Sequence, residues 1–95
     1  MISARITAVF AVFMLFIQIV IANPQLDEAH RLCNQLNYQK ALEIYQSIDK
    51  QCDDPSVQRE ARFYIGSCKR HLHDYWGAIS AYEVFLNHIR KHYTP

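Results

Sequence analysis

An all-α fold is what the sequence of this 95-residue chain predicts. Three observations carry that prediction. The first is an internal repeat: Tyr38, Ala41, Leu42, Tyr45 and Ile48 recur, with a 37-residue period, as Tyr75, Ala78, Ile79, Tyr82 and Phe85. Periods of this size mark supersecondary units that stack on one another. The second is the apolar spacing inside each unit, at i, i+3, i+4 and i+7, which is a helical period and not a strand alternation. The third is the chemistry at the breaks, where residues that start helices stand at the head of the apolar runs.

Taken in order, helix 1 is expected over residues 24–35, helix 2 over 38–50, helix 3 over 55–72 and helix 4 over 75–92. Leu26 and Ala29 match Phe63 and Gly66 upstream of the repeated aromatics, and Asn37 matches Asp74 just before each tyrosine. Asp54 followed by Pro55 reads as an N-cap and a proline at the first helical position, where a missing N–H costs nothing. Asn37 and Asp74 are expected to cap helices 2 and 4 in the same way. Arg90, Lys91 and His92 close helix 4, placing positive charge at the negative end of the helix dipole.

Ala29 and Gly66 stand twelve positions before Ala41 and Ala78, small residues that let two helix backbones approach closely, with Tyr45 and Tyr82 filling the space beside them. On these residues the chain resembles the tetratricopeptide repeat family, whose unit is a helical hairpin of 34 residues. The second unit fits at Ile65, Gly66, Leu72, Asp74, Tyr75, Ala78, Ile79 and Tyr82. The first keeps Ala29, Leu32, Tyr38, Ala41 and Tyr45, departs by one residue of register around Gln35 and Leu36, and has three added residues in the loop at 49–54. The resemblance covers about residues 24–93 and implies two tandem hairpins, about 24–52 and 55–93, forming a fragment of an α-α superhelix. A four-helix bundle with coincidental spacing is the other all-helical reading.

Residues 1–22 are of a different character. One cation, Arg5, precedes an apolar run over Ile6–Ile21 interrupted by Thr7 and Gln18, and Ala22 ends it. That order describes a secretory signal peptide. The run is shorter than the roughly 20 apolar residues that span a bilayer, which favours cleavage after Ala22 over retention as a membrane anchor. The expected location is therefore exported, whether periplasmic, secreted or in a secretory lumen; membrane attachment follows only if residues 6–21 remain uncleaved.

Ten Lys and Arg stand against nine Asp and Glu, so without Arg5 the chain is neutral apart from histidine. It has no basic field for nucleic acid. Its two glycines, Gly66 and Gly77, both lie within the repeats and form no phosphate cradle. Three cysteines remain: Cys33, Cys52 and Cys68. In the shared frame of the repeat Cys33 and Cys68 are two positions apart, about 200° of helical rotation and about 3 Å of rise, as expected of residues facing each other on neighbouring parallel helices. A disulfide between them would close a loop contributing about 3 to 4 kcal/mol in the chain-entropy model. Equally, each continues an apolar stripe, Leu26–Ala29–Leu36 for Cys33 and Ala61–Ile65–Leu72 for Cys68, as a small core residue would. Cys52, in the loop, is the expected unpaired thiol.

Support for catalysis is slight, and no cofactor is indicated. His88 and His92 have an i, i+4 spacing that suits zinc, but no third ligand and no glutamate base accompany them. His71 and His73 flank Leu72 at a helix end and read as turn residues. No third group orients a cysteine–histidine nucleophile pair.

What remains is binding. The family resemblance implies that the first helix of each hairpin lines a groove for an extended peptide or a partner helix; on the matching positions that face holds His30, Cys33, Asn34, Phe63, Ser67, Arg70 and His71. The Asn and Lys set with which some members of the family clamp a C-terminal carboxylate is absent. Arg70 with His71 could still meet one carboxylate through charge-assisted bonds, and Phe63 supplies an apolar anchor. The likeness is nearer to the envelope tetratricopeptide proteins of Gram-negative bacteria, which support outer-membrane assembly and cell-division scaffolds, than to eukaryotic lumenal members such as peptide-binding domains of the collagen prolyl hydroxylase kind. The expected function is a non-catalytic adaptor or scaffold for a protein or peptide partner; the alternative is a substrate-binding domain or fragment of a larger secretory-pathway enzyme or assembly complex. About 73 residues bury only about 60% of their unfolded surface, and stacked repeats usually need three or more units. Two units carrying an aromatic helix 4 are therefore expected to self-associate, to dock on a partner, or to be a short piece of a once longer array.

Overall fold

The computed structural model describes residues 23–93. They form four helices, α1 (Pro24–Asn34), α2 (Tyr38–Gln51), α3 (Pro55–His71) and α4 (Tyr75–Tyr93), with no strand among the described residues. The all-α expectation holds, and every helix end lies within a residue of its sequence-derived position. The signal peptide or anchor expected at residues 1–22 lies outside the described residues.

Local chemistry explains the starts. The Asn23 side chain accepts a hydrogen bond from the Leu26 N–H at 3.0 Å, with Pro24 at the first position of α1. At α3, Asp54 accepts from the Ser56 N–H at 3.0 Å and from the Ser56 hydroxyl at 2.8 Å, ahead of Pro55. The hydroxyl bond, then the backbone bond, hold the Asp54 carboxyl below the usual carboxylate range. Asp74 accepts from the Gly77 N–H at 3.0 Å at the start of α4. The expected cap at Asn37 does not form: its side chain makes no capping bond to α2. At Asn37 the backbone is bent to φ −93°, ψ 69°, away from the extended conformation seen at Asn23 and Asp54, and the extended conformation is the one from which a cap side chain reaches the first turn.

The two tight turns are built alike. Leu36 and His73 both have left-handed backbone, φ 62° and 66°. In the first turn the Asn37 N–H reaches the Leu32 carbonyl and the Leu36 N–H that of Cys33; in the second, Asp74 reaches Lys69 and His73 reaches Arg70. Each set closes off the free carbonyls at a helix end.

Side-chain pairs give the direction of each helix. Tyr38 meets His71, Tyr45 meets Tyr64 and Asp49 meets Arg62, so α2 and α3 are antiparallel. Phe63 meets Phe85, and Gly66 meets Tyr82, which sets α4 antiparallel to α3. His30 meets Glu60, and Cys33 meets Cys68, which sets α1 parallel to α3. Helix α4 packs on α3 and makes no helix–helix contact with α1. The described helices are thus an open array, since a closed bundle would bring the first helix against the fourth.

The core is continuous through α1, α2 and α3: Leu26, Ala29 and Leu32, then Ala41, Leu42, Tyr45 and Ile48, then Ala61, Ile65 and Cys68. Tyr45, Ile48 and Cys68 are the largest fully buried side chains; burying a residue the size of Ile48 contributes about 1.5 to 3 kcal/mol. Helix α4 is different. Ala78 and His88 are buried, while Tyr75, Trp76, Ile79, Val84 and Leu86 are exposed, Trp76 by 83%. No described helix is long and apolar enough to cross a membrane.

Candidate functional site

Parallel packing of α1 and α3 brings several of the expected interaction residues onto one face. From α1, His30 stands between two tyrosines, its ring centroid 5.5 Å from Tyr45 and 4.6 Å from Tyr64. Its Nε2 lies 3.0 Å from the Glu60 carboxylate and its Nδ1 is hydrogen-bonded to the Tyr45 hydroxyl. Beneath them Cys33 Sγ lies 3.7 Å from that hydroxyl and 3.9 Å from Cys68 Sγ. One assignment of hydrogens satisfies the whole chain: Cys68 donates to Cys33, Cys33 to Tyr45, Tyr45 to His30 Nδ1, and His30 Nε2–H to Glu60. Burial, with the hydrogen bond to Cys33 second, pushes the Tyr45 hydroxyl well above the ordinary phenol range. Burial also pushes the Cys68 thiol up to about 12, with the neighbouring Cys33 adding to it. Both groups therefore stay protonated at neutral pH. All three cysteines are free thiols.

The remaining nominated residues divide. Ser67 and His71 lie at the other end of the same face, where His71 Nδ1–H donates to the Ser67 carbonyl at 2.8 Å and the His71 ring stacks on Tyr38 at 4.3 Å. Asn34 is exposed at the end of α1. Phe63 leans the other way, its ring 5.4 Å from Phe85 and 6.0 Å from Tyr82, and is 40% exposed. Arg70 is exposed and pairs with no carboxylate among the described residues. The face therefore has two parts: a polar seam between α1 and α3, and an apolar edge where α3 meets α4.

Sequence reasoning missed Glu60 and Tyr64, which complete the seam. Their signal was present, because Tyr64 is three and Glu60 seven residues before Ser67, positions that share a helix face with it. It also missed the fate of His88. This imidazole is buried, its two ring nitrogens have no hydrogen-bond partner among the described residues, and the His92 ring lies 4.4 Å away. Burial, followed by the positive charges of Arg62 and His92, holds His88 below the usual histidine range.

Clefts also open away from the nominated residues. One of about 280 Å³ is lined by Ile65 and by the Asp49–Arg62 pair, 2.7 Å apart. Another, of about 350 Å³, runs beside His88, His92, Arg62 and Lys91. Among the described residues no group of three or more His, Cys, Asp or Glu side chains is placed to hold a metal ion.

The class these observations define is an open all-α array with a polar seam between its parallel first and third helices. No family model, no curated protein and no solved structure matches the chain.

Proposed function

We propose that this chain is a non-catalytic protein-interaction module, two hairpins of the tetratricopeptide type, that takes an extended peptide across α1 and α3. The single observation that carries this reading is the exposed face of α3, where the half-exposed Phe63 ring and the Arg70 guanidinium, which meets no carboxylate among the described residues, stand seven residues apart, about 10 Å along the helix. An apolar side chain of a bound peptide would rest on Phe63 and a carboxylate one or two turns away would pair with Arg70, with Ser67, His71 and Asn34 as hydrogen-bonding neighbours beside the His30 ring. Interfaces draw most of their affinity from a few such aromatic and arginine anchors.

The test places a photo-crosslinker at Asn34 and compares the native chain with Phe63→Ala and Arg70→Ala. Peptides carrying an apolar residue and an acidic residue should crosslink to the native chain and lose that crosslink in both variants. If both variants fold and keep every partner, the assignment of this face is wrong. Export is the second half of the proposal, with cleavage after Ala22; a mature N-terminus found elsewhere by sequencing the exported protein removes it. The exposed apolar side of α4, with Trp76, Ile79 and Leu86, offers the same module a surface for self-association, and a mass in solution that stays monomeric at all concentrations speaks against that use.

A further inference from the structure

We propose that Cys33 and Cys68 are a redox-active dithiol that closes to a disulfide across the α1–α3 seam when a small-molecule or protein disulfide serves as oxidant. Three observations lead there. The two sulfurs are 3.9 Å apart, about 2 Å more than the length of a disulfide bond. The two thiols differ in access, since Cys33 is partly exposed and Cys68 only 1% exposed; one can meet an oxidant and the other can only meet Cys33. The third thiol is elsewhere: Cys52 caps the far end of α2, where its carbonyl accepts from the Gln58 side chain. The pairing is therefore specific by position, and it stands apart from the interaction reading above.

The chemistry is an exchange in two steps. The Cys33 thiolate attacks one sulfur of the oxidant, forming a mixed disulfide and releasing the first thiol of the oxidant. Cys68 then gives up its proton, and its thiolate attacks the Cys33 sulfur, releasing the second thiol. Two electrons pass from the protein dithiol to the oxidant, whose disulfide becomes two thiols, and the two protons given up by the cysteines are taken up by the leaving thiolates. The buried Cys68 thiol, held up to about 12 mainly by burial, makes the second step the slower one, because only the thiolate reacts. A mixed disulfide at Cys33 should accumulate first and decay faster as the pH rises.

The experiment equilibrates the full chain with mixtures of reduced and oxidised glutathione, quenches with acid, alkylates the remaining thiols and maps them by peptide mass spectrometry. Cys33 and Cys68 should lose alkylation together in one two-electron transition and appear as one linked peptide pair, while Cys52 stays alkylated. The oxidised protein should unfold at a higher urea concentration than the reduced protein, and Cys52→Ser should leave the transition where it was. In Cys33→Ser, Cys68 should remain unmodified by glutathione. The proposal is overturned if Cys33 and Cys68 stay alkylatable, or Cys33 stops at the glutathione adduct, in the most oxidising mixture, or if the linked peptide contains Cys52.

Discussion

Leu36 and His73 occupy the same left-handed backbone conformation, at φ 62° and 66°, one in each tight turn. Each ends a helix with a side chain where glycine would fit without steric cost. The strain is greater for Leu36, because histidine tolerates this region better than leucine does, and the Leu36 side chain is 73% exposed and so recovers little by packing. Leu36→Gly should raise stability by up to about 1 kcal/mol, the relief of left-handed strain less the added freedom of the unfolded glycine. Urea unfolding of the two proteins measures it, and a less stable variant would show that the Leu36 side chain contributes more than the turn loses.

Gly66 is required by its neighbour. A β-carbon there would lie 2.7 Å from two atoms of the Tyr82 ring, closer than atoms pack. Gly66→Ala should therefore destabilise by about 1 kcal/mol net, an overpacking cost of about 1 to 3 kcal/mol offset by the better helix propensity of alanine. In a Tyr82→Ala background the same change should turn stabilising. The double-mutant cycle isolates the contact, and equal effects in both backgrounds would exclude it.

Tyr45 ties α2 to α1 through one hydroxyl, bonded to His30 and within 3.7 Å of Cys33. Tyr45→Phe keeps the ring stacked 5.3 Å from Tyr64 but strands both polar neighbours. The expected loss is about 1 to 2 kcal/mol, the usual cost of leaving partly buried partners unsatisfied, read as a lower urea midpoint with an unchanged slope.

His88 should make the protein acid-sensitive. Its folded pKa is lowered, first by burial and then by Arg62, His92 and Arg59, against a smaller opposing effect of Asp49. Between the unfolded value of about 6.5 and the lower folded value, the unfolded chain binds a proton that the folded chain does not. Stability from this group is therefore complete above about pH 6.5 and falls as the pH drops below it. His88→Leu should flatten that part of the stability–pH curve, and it should cost little at neutral pH because the two ring nitrogens satisfy no partner. An unchanged slope in the variant would assign the acid sensitivity to another group.

The helices were legible because their signals are local. Asp54–Pro55 start α3 through bonds that span two residues, and the Tyr, Ala and Leu spacing of α2 and α4 follows from 3.6 residues per turn. Asn37 shows the limit, since whether an asparagine caps depends on a backbone angle that its letter does not specify. The candidate face was half legible. Ser67 and His71 fell together as their spacing implied, whereas Phe63 leaned toward α4 because Tyr82 and Phe85 offered it apolar contact. Glu60 and Tyr64 were overlooked because their role depends on His30, thirty-odd residues away in the chain.

By itself the sequence determined four helices, the close approach at Ala29 and Gly66, the two turns and the stripe on which Cys33 and Cys68 lie, all of which follow from periodicity and short-range sterics. Only tertiary packing decided that Tyr45 joins the two facing thiols through its hydroxyl, that Tyr64 and Glu60 close round His30, that His88 is buried without a hydrogen-bond partner among the described residues and that Trp76 is left in solvent. The reason is physical: a helix fixes what lies within about four residues, whereas the partner of a side chain thirty-five residues away is chosen by which faces bury the most apolar surface together.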